Sequence, residues 1–583
     1  MRSGSNILIL FLTFAFVIGC GGGRKFTLAP IKTFDPDNAT MPPPKEIEEN
    51  QVWDIMDMTF FYQIEKVLDL NWMLRKAGKI LHIASPRQAD NVNVLDEVPN
   101  SSWYTNRQFH HPITQEELAR GPDVTDGPDH SGPWIITSGK FEGGTPGFFI
   151  KDSKGDGYIL KFDAPQFQEM GSSAEVISTK ILYACGYNVP QNTIEYFDPD
   201  ILKLGEGAKF REHGFKRPMT QDDLETMLED IPRTQDGKIR ALTSKLLSNP
   251  VGIWAYKGTR KDDPNDRVAH EHRRELRGLR VISSWLNDAD RRAANTLAAY
   301  TEENGKKFIK HYLIDMGSTL GSNNIIPHAP KYGNEYLVDP RTVGLSFISL
   351  GLYVKPWESE TGHLNPKYPS VGYFEADIFD PGRWVPTYPN PAFENCTPRD
   401  AYWGAKIVMS FSDEDIRAIV ETARMSDPEA KQYLIKTLIE RRDKIGRYWF
   451  SRMNPLDKFR FERNHKGELT LRFNDLAVDS KLNTAEESKY VYTISYNKKG
   501  IHRQTIVDEP AIPVSSNGRG FLDDILASAN GIAKEEDKIF SVKIQTKRGE
   551  GPLSKAVEVY FYYPGNSARP RVVGIVREDG QRF

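Results

Sequence analysis

Three oxygen-bearing side chains stand close together in the middle of the chain and could share one chemical task. Asp290 and Asn295 lie five positions apart after an apolar run, and Asp315 ends the apolar segment HYLID just before a Met-Gly pair. A carboxylate can accept a proton from an attacking hydroxyl, and carboxylate and amide oxygens are hard ligands for divalent cations. We therefore predict that Asp290 acts as a base and that Asn295 and Asp315 hold a metal ion. The alternative is an ordinary loop, since Asp and Asn are common turn residues.

Lys161 and Glu175 form a second candidate group upstream. Lys161 lies in the otherwise apolar segment YILKF, where a charge is costly unless it reaches solvent or a partner. Glu175 falls near the start of a predicted helix that Ser172 or Ser173 caps and Gly186 ends. An ion pair between Lys161 and Glu175 would fix the ammonium where it can bind phosphate groups. The alternative is a half-buried strand face from which the ammonium extends into water.

A glycine-rich segment precedes Lys161. Two predicted strands, WIITS and FFI, flank a turn that contains Gly139, Gly143, Gly144 and Gly147. Glycine lets the backbone approach a ligand closely and adopt positive φ, so such a turn can place its N–H groups over phosphates. We predict that these four glycines and Lys161 bind a nucleotide. A hairpin turn without a ligand is the alternative.

Together these motifs resemble the HipA-like branch of the protein-kinase-like superfamily. YILKFD, the helix that carries Glu175, ACGYNVP and QNTIEYF are similar to the N-lobe of those kinases, and LRVISSWLNDADRRAANTL is similar to their catalytic loop. Arg292 stands where that loop commonly carries His, and LIDMG is closer to the Asp-x-Gly of ordinary kinases. The resemblance covers residues 134–317. It implies an α+β, two-lobed fold, ATP with Mg²⁺ or Mn²⁺, and catalytic roles for Asp290, Lys161 and Glu175.

The N-terminus predicts export and a lipid anchor. Arg2 precedes the apolar run Ile7 to Ile18, which is too short to span a bilayer and is typical of a signal-peptide core. Gly19 and Cys20 resemble the lipobox of bacterial lipoproteins, which implies that Cys20 is lipidated. We therefore expect a protein anchored in the bacterial cell envelope, at the outer membrane, facing the periplasm or the exterior. An ordinary signal peptide with a chance cysteine is the alternative.

The kinase-like motifs and the predicted location in the cell envelope are compatible with three functions. The first is a phosphotransferase that moves the γ-phosphate of ATP to a hydroxyl of an unidentified protein, lipid or sugar. The second is a pseudokinase scaffold or ligand-binding lipoprotein without catalysis, which the scarcity of ATP outside the cytoplasm favours. The third transfers a nucleotidyl group. A formal charge of -3 predicts no general attraction to nucleic acid.

The 583 residues exceed what one core usually organises, so several domains are expected. Changes in pattern divide them into a lipoprotein signal peptide (1–19), a flexible tether (20–51), an N-terminal helical and loop extension (52–133), a kinase-like N-lobe (134–258), a kinase-like C-lobe (259–454) and a β-sandwich-like domain (455–583). The last is predicted from short alternating strands separated by turn residues. We expect it to bind or to act as a spacer.

A dense mixed-charge run fills residues 259–280. It could grip an anionic substrate through its arginines, which include Arg260, Arg267, Arg273, Arg274 and Arg277. The interleaved Asp and Glu residues favour instead a salt-linked face exposed to solvent.

Overall fold

A computed structural model describes most of the chain. The described residues are 26–47, 55–62, 65, 68, 87–140, 145–212, 215–355, 357–358, 366–463, 468–496, 499–500, 504–514, 522, 538–565 and 568–579. The predicted signal peptide, Cys20, Gly143, Gly144 and most of residues 52–86 lie outside them. The described residues form helices and sheets, which confirms the α+β class, and none of these helices is long and apolar enough to cross a membrane.

Seven strands form the sheet that carries Lys161. They are β1 (Trp134–Gly139), β2 (Gly147–Lys151), β3 (Gly157–Lys161), β4 (Asn192–Phe197), β5 (Leu202–Glu212), β6 (Phe215–Pro218) and β7 (Ile239–Lys245). Their order is β4-β7-β3-β2-β1-β5-β6, and all neighbours are antiparallel except β1 and β5. β3 lies between β7 and β2, so Lys161 at its end is fixed by a strand on each side.

The α-helices pack mainly into one large core. They are α1 (Gln115–Arg120), α2 (Met170–Cys185), α3 (Gln221–Glu229), α4 (Arg274–Leu286), α5 (Pro340–Ile348), α6 (Pro391–Glu394), α7 (Pro398–Val408), α8 (Asp413–Glu421), α9 (Pro428–Arg452) and α10 (Leu476–Asp479). Ile181 of α2, Ile282 of α4 and Trp449 of α9 belong to the same buried cluster. The helix that carries Glu175 and the helix before Asp290 therefore share one hydrophobic core.

Two hairpins lie between α4 and α5. They are β8 (Thr296–Glu303) with β9 (Lys306–Leu313), and β10 (Ser322–Asn323) with β11 (Ile326–Pro327). Asp290 and Asn295 occupy the loop between α4 and β8, and Asp315 follows β9. Candidate site residues thus lie where elements end, as is usual for functional side chains on a packed scaffold.

The start of α2 differs from the prediction. Neither serine predicted to cap it does so, because the helix begins earlier, at Met170, without a side-chain cap. Ser172 lies inside the first turn and donates a hydrogen bond to the carboxylate of Asp163. Glu175 is therefore farther from the helix start than predicted. The predicted end is confirmed, since Gly186 has a φ of 115° and closes the helix.

Two sheets follow α9. One contains β12 (Leu456–Arg463), β13 (Leu469–Asp475) and β17 (Ala511–Pro513); the other contains β14 (Ser488–Tyr496), β15 (Lys499–Gly500), β16 (Thr505–Val507), β18 (Ile539–Arg548), β19 (Val557–Tyr562) and β20 (Arg571–Arg577). Leu471 of the first sheet and Val542 and Val559 of the second belong to one buried cluster. The apolar alternation of these strands therefore produces a core that both sheets share.

Residues 26–47, which we call the N-terminal strap, lie against the rest of the protein instead of forming part of a flexible tether over residues 20–51. Phe26 packs on Tyr560 of β19 with ring centroids 4.6 Å apart, and Met41 is buried in the main core. A proline-rich segment can pack in this way because proline nitrogen carries no hydrogen that needs a partner. Composition alone does not separate such a strap from a free linker.

The mixed-charge run is salt-linked as predicted, and Lys261, Asp262 and Arg267 are exposed to solvent, but residues 273–280 are buried. Arg274 pairs with Asp96 at 2.7 Å and with one oxygen of Asp400 at 3.0 Å. Arg277 pairs with the other oxygen of Asp400 at 3.3 Å. All four side chains are buried. Arg274 and Arg277 belong to α4, and Asp400 belongs to α7, which packs on α4. The alternating charges thus join elements inside the protein.

Replacing Asp400 by Asn is expected to destabilise the protein by about 3 to 5 kcal/mol, because the buried guanidinium of Arg277 would lose its anion and that of Arg274 would lose one of its two. Chemical denaturation measures this change in the free energy of unfolding. Asp415→Asn is the matched control, since Asp415 has the same capping position at the start of α8 but is only partly buried. We expect about 1 kcal/mol or less for the control. Equal losses in both variants would contradict the role of the buried pairs.

Asp37 of the strap gives a pH-dependent prediction. Burial raises its pKa from 3.8 to about 6, although the hydroxyl and N–H of Ser102 donate to it. Between about pH 4 and 6 the folded state therefore binds more protons than the unfolded chain, and stability falls as the pH rises. Asp37→Asn is expected to raise the free energy of unfolding at neutral pH by up to about 3 kcal/mol. Urea denaturation across this window tests it, and a destabilised variant at neutral pH would contradict it.

Candidate active site

Lys161 lies at the end of β3 between two carboxylates. Its ammonium donates to both oxygens of Glu175 at 2.8 Å and to Oδ1 of Asp315 at 3.2 Å. Glu175 belongs to α2 and Asp315 follows β9, so one cation joins three parts of the fold. The side chains of Lys161 and Glu175 are nearly inaccessible to water, which strengthens the attraction between them.

These charges shift one another's pKa values. Burial alone would lower the pKa of Lys161, but Asp315 and Glu175 outweigh burial and hold it above its ordinary value. The Lys161 ammonium in turn lowers the pKa of Asp315. Burial raises the pKa of Glu175, and Lys161 opposes that rise. The pKa values of the three groups are therefore coupled, with two acidic groups around one ammonium.

Asp315 borders open space. Its side chain is 41% exposed, against 12% for the Lys161 side chain that it contacts. The backbone of Asp315 is left-handed, with a φ of 54°, so the chain leaves the direction of β9 at this residue. Gly317 then passes so close to Asn324 that a β-carbon at this glycine would lie 2.1 Å from the amide oxygen. The Met-Gly pair therefore permits the turn that exposes the Asp315 carboxylate.

Asp290 is oriented by its neighbours in the loop before β8. Asn295 donates its amide N–H to Oδ2 of Asp290 at 3.0 Å, and Arg292 donates to Oδ1 at 3.1 Å. Burial raises the pKa of Asp290, while Arg292 and Asn295 act in the opposite direction. The side chain is 28% exposed. A carboxylate that is held in place, reachable and raised in pKa has the properties of a proton acceptor.

Arg291 ties the Asp290 loop to the Asp315 segment. Its guanidinium donates to the backbone carbonyls of Asn295 and Ile314 at 2.9 and 3.0 Å, and it pairs with Asp288 at 2.7 Å. The Ile314 N–H also donates to the Asn295 carbonyl at 3.1 Å. Arg291 and Asp288 are fully buried. The two predicted metal ligands are therefore held on adjacent stretches of backbone.

A buried hydroxyl pair fixes α2 against the segment after Asp315. The hydroxyls of Ser178 and Thr319 lie 2.7 Å apart, and Thr319 donates to the Met316 carbonyl at 2.8 Å. Ser178 follows Glu175 by three residues and therefore lies on the same side of α2. The Glu175 carboxylate is thus positioned by contacts independent of its ion pair.

The glycine-rich segment is described only at its ends, since Gly143 and Gly144 lie outside the described residues. Gly147 pairs with Lys161 in the sheet, and a β-carbon on it would lie 2.0 Å from the Leu160 carbonyl oxygen. A β-carbon on Gly139 would lie 3.2 Å from the ring of Phe210. Close packing therefore explains why glycine stands at both positions. Their roles in nucleotide binding stay predictions.

Lys140 is a site residue that the sequence reasoning missed. Its charge lowers the pKa values of both Asp315 and Glu175, so it lies within electrostatic range of the Lys161 cluster. Its ammonium donates to the Thr145 carbonyl at 3.2 Å. The sequence feature that could have identified Lys140 is its position directly after Gly139, at the start of the glycine-rich turn. A second cation at this place would attract an anionic ligand.

The predicted metal ligands have suitable chemistry. Asn295 directs its amide nitrogen at Asp290, which leaves its carbonyl oxygen for another partner. In the described part of the chain there is no group of three or more His, Cys, Asp or Glu side chains that could hold a metal. Mg²⁺ often takes one or two protein oxygens and completes its shell with phosphates and water. The residue types of Asn295 and Asp315 are therefore compatible with such an ion, and their roles as metal ligands stay predictions.

Arg291→Met is expected to loosen the Asp290 loop from the Asp315 segment, because both carbonyls lose a charged donor. Amide hydrogen exchange of Ile314 should accelerate about tenfold or more. Exchange measured by NMR or mass spectrometry tests this, with Arg447→Met on the exposed part of α9 as the control. Unchanged exchange at Ile314 would contradict the tying role of Arg291.

Comparisons with known proteins add little. No protein-family model matches the chain, and no curated protein matches it. The crystal structure of the Golgi casein kinase is similar to it with a TM-score of 0.25 and 8% sequence identity, over 72% of this chain and 96% of that one. Likeness at this level carries no information about substrate or activity. The protein is an α+β chain with a weak structural similarity to a kinase.

Proposed function

We propose that this chain is a kinase-like phosphotransferase that moves the γ-phosphate of ATP to a hydroxyl of an acceptor. The observation that carries the proposal is the Lys161 ammonium, held 2.8 Å from Glu175 and 3.2 Å from Asp315. Glu175 is buried, whereas Asp315 is partly exposed. An ammonium held firmly by one carboxylate can exchange the second, exposed partner for phosphate oxygens.

The remaining residues take roles that their surroundings support. Asp290 accepts the proton of the attacking hydroxyl, since its carboxylate is oriented and its pKa is raised. Lys161 and Glu175 position the phosphates, and the glycine-rich turn covers them. A Mg²⁺ or Mn²⁺ ion held by Asn295 and Asp315 would neutralise charge on the phosphates.

The architecture proposed for this function has two kinase-like lobes, residues 134–258 and 259–454, followed by a sandwich-like domain at 455–583. The seven-stranded sheet and the large helical core support the lobes, and the core shared by the last two sheets supports the third part. We propose a HipA-like kinase as the model for this part, because its sequence motifs resemble those of HipA-like kinases. The N-terminal sequence supports an exported protein, lipidated at Cys20 and anchored in the bacterial cell envelope.

A pseudokinase scaffold, or a ligand-binding lipoprotein, is the second candidate. The observation in its favour is the same ion pair between Lys161 and Asp315, which a non-catalytic protein would keep for stability alone. A nucleotidyl transferase would use the same residues on the α-phosphate and is the third candidate.

Label transfer separates the three candidates. With the purified full chain, divalent metal and an envelope extract, γ-labelled ATP is expected to label an acceptor and α-labelled ATP is not. Asp290→Asn should reduce the transfer about 100-fold or more, because the amide cannot accept the proton. Transfer of the α-label would identify a nucleotidyl transferase. Metal-dependent binding of ATP without any transfer would identify a pseudokinase.

Nucleotide binding tests the Lys161 cluster separately from catalysis. ATP with Mg²⁺ is expected to raise the melting temperature of the protein, and Lys161→Met and Asp315→Asn should abolish that rise. Asp290→Asn should keep it. Asp222→Asn at the exposed start of α3 is the matched control. A metal-dependent rise that survives in Asp315→Asn would overturn the metal assignment.

A further inference from the structure

An apolar segment projects from the protein between β11 and α6. We call residues 343–354, the end of α5 and the turns after it, the apolar ridge. The side chains of Phe347, Ile348, Leu350 and Leu352 are 80 to 91% exposed. The sequence has no charged residue between Thr342 and Val354. Contiguous apolar surface of this kind is rare on soluble proteins and marks a surface that something covers.

The distribution of these side chains indicates what covers them. Within α5, Val343 and Phe347 lie on one side of the helix and Leu345 and Ile348 on the other, and all four are exposed. A protein groove receives a single helical stripe. Apolar side chains exposed on opposite sides suit immersion in a lipid layer. The ridge is shorter than the roughly 20 residues needed to cross a bilayer, so it would lie at the lipid surface.

A cationic cleft lies near the C-terminal end of the ridge. It has a volume of about 630 Å³ and contains more basic than acidic residues; the charged residues that line it are Arg383, Lys444, Arg447, Arg452, Asp377 and Asp380. Asn334 and Trp357 also line it. Lys355, directly after the ridge, pairs with Glu335 at 2.9 Å, which places the C-terminal end of the ridge near Asn334 and Trp357. The apolar ridge and the excess of positive charge therefore occur together, as a membrane surface with anionic headgroups requires.

We propose that the apolar ridge inserts into a lipid bilayer and that the cationic cleft binds its anionic headgroups. This contact is separate from lipidation of Cys20 and from phosphate transfer. The cleft shares Asn334, Phe379 and Asp380 with a small cavity that reaches Asn287, next to the loop of Asp290. Docking through the ridge would therefore hold the candidate active site near the membrane surface.

A fluorescent label on the ridge tests immersion directly. The full chain with Cys20→Ser and Leu350→Cys takes the label at position 350, because native Cys185 and Cys396 are buried. Leu350 is 91% exposed, so its replacement leaves the fold intact. The matched control carries Val124→Cys at a site that is 70% exposed.

Vesicles of phosphatidylethanolamine and phosphatidylglycerol with brominated acyl chains are expected to quench the label at position 350 roughly twofold and to leave the label at position 124 unchanged. Equal quenching at both positions, or none at 350, would overturn the proposal. A change at 350 that follows protein concentration without vesicles would mean that a second copy covers the ridge, and would also overturn it. None of these readouts depends on transfer of phosphate.

Binding of anionic headgroups in the cleft is tested by changing the lipid charge and Arg447. Quenching at position 350 should be weaker on vesicles of phosphatidylcholine, which carry no net charge. Arg447→Glu is expected to reduce quenching on phosphatidylglycerol vesicles to the level found on phosphatidylcholine. Arg447 is exposed, so the substitution does not disturb the core. Quenching that is independent of both the lipid charge and Arg447 would overturn binding of headgroups in the cleft.

Discussion

A buried ammonium is costly unless the protein supplies opposite charge around it, and the candidate site depends on that constraint. Lys161 ends a central strand and has little access to water, so Glu175 must lie against it. This requirement fixes α2 beside β3. Because α2 shares its core with α4, the same requirement also fixes the helix that leads to the Asp290 loop. One electrostatic demand thus positions parts of the site that are distant in sequence.

Arg291 is a second buried cation, and its charge is compensated differently from that of Lys161. Arg291 pairs with Asp288 through Nε, and its Nη1 donates to the backbone carbonyls of Asn295 and Ile314. A planar guanidinium can bridge two chain segments, whereas the Lys161 ammonium gathers separate carboxylates around one point. Arg291 therefore holds the Asp290 loop rigidly, whereas Lys161 forms the ion pair with Asp315 that a phosphate could replace. A rigid loop keeps the proposed proton acceptor Asp290 in place. A lysine whose exposed partner can be replaced is able to bind phosphate.

The residue types that do chemistry could be read from the sequence, because a lysine in an apolar strand and an Asp after an apolar run each need a physical explanation. Lys161, Glu175 and Asp315 are indeed brought together. The strands of the C-terminal sheets also followed from their alternation. Arg291 and the packed strap did not, since their partners are set by tertiary contacts that no local pattern contains. The start of α2 was misjudged because Ser172 bonds to Asp163 and not to the helix end.

Two segments invert the usual relation between polarity and burial, and they do so for opposite reasons. Residues 273–280 of the charged run lie inside, where Arg274 meets Asp96 and Asp400, which lie far away in the chain. The charges of Arg274 and Arg277 are offset by carboxylates from other parts of the same molecule. The apolar ridge at 343–354 stays outside, and the described residues offer no element that covers it. A charge buried within the fold can be balanced by the fold, but an apolar side chain left in water needs a cover that the described residues do not provide. The ridge therefore needs a partner outside the described part of the fold, whereas the buried arginines of the charged run do not.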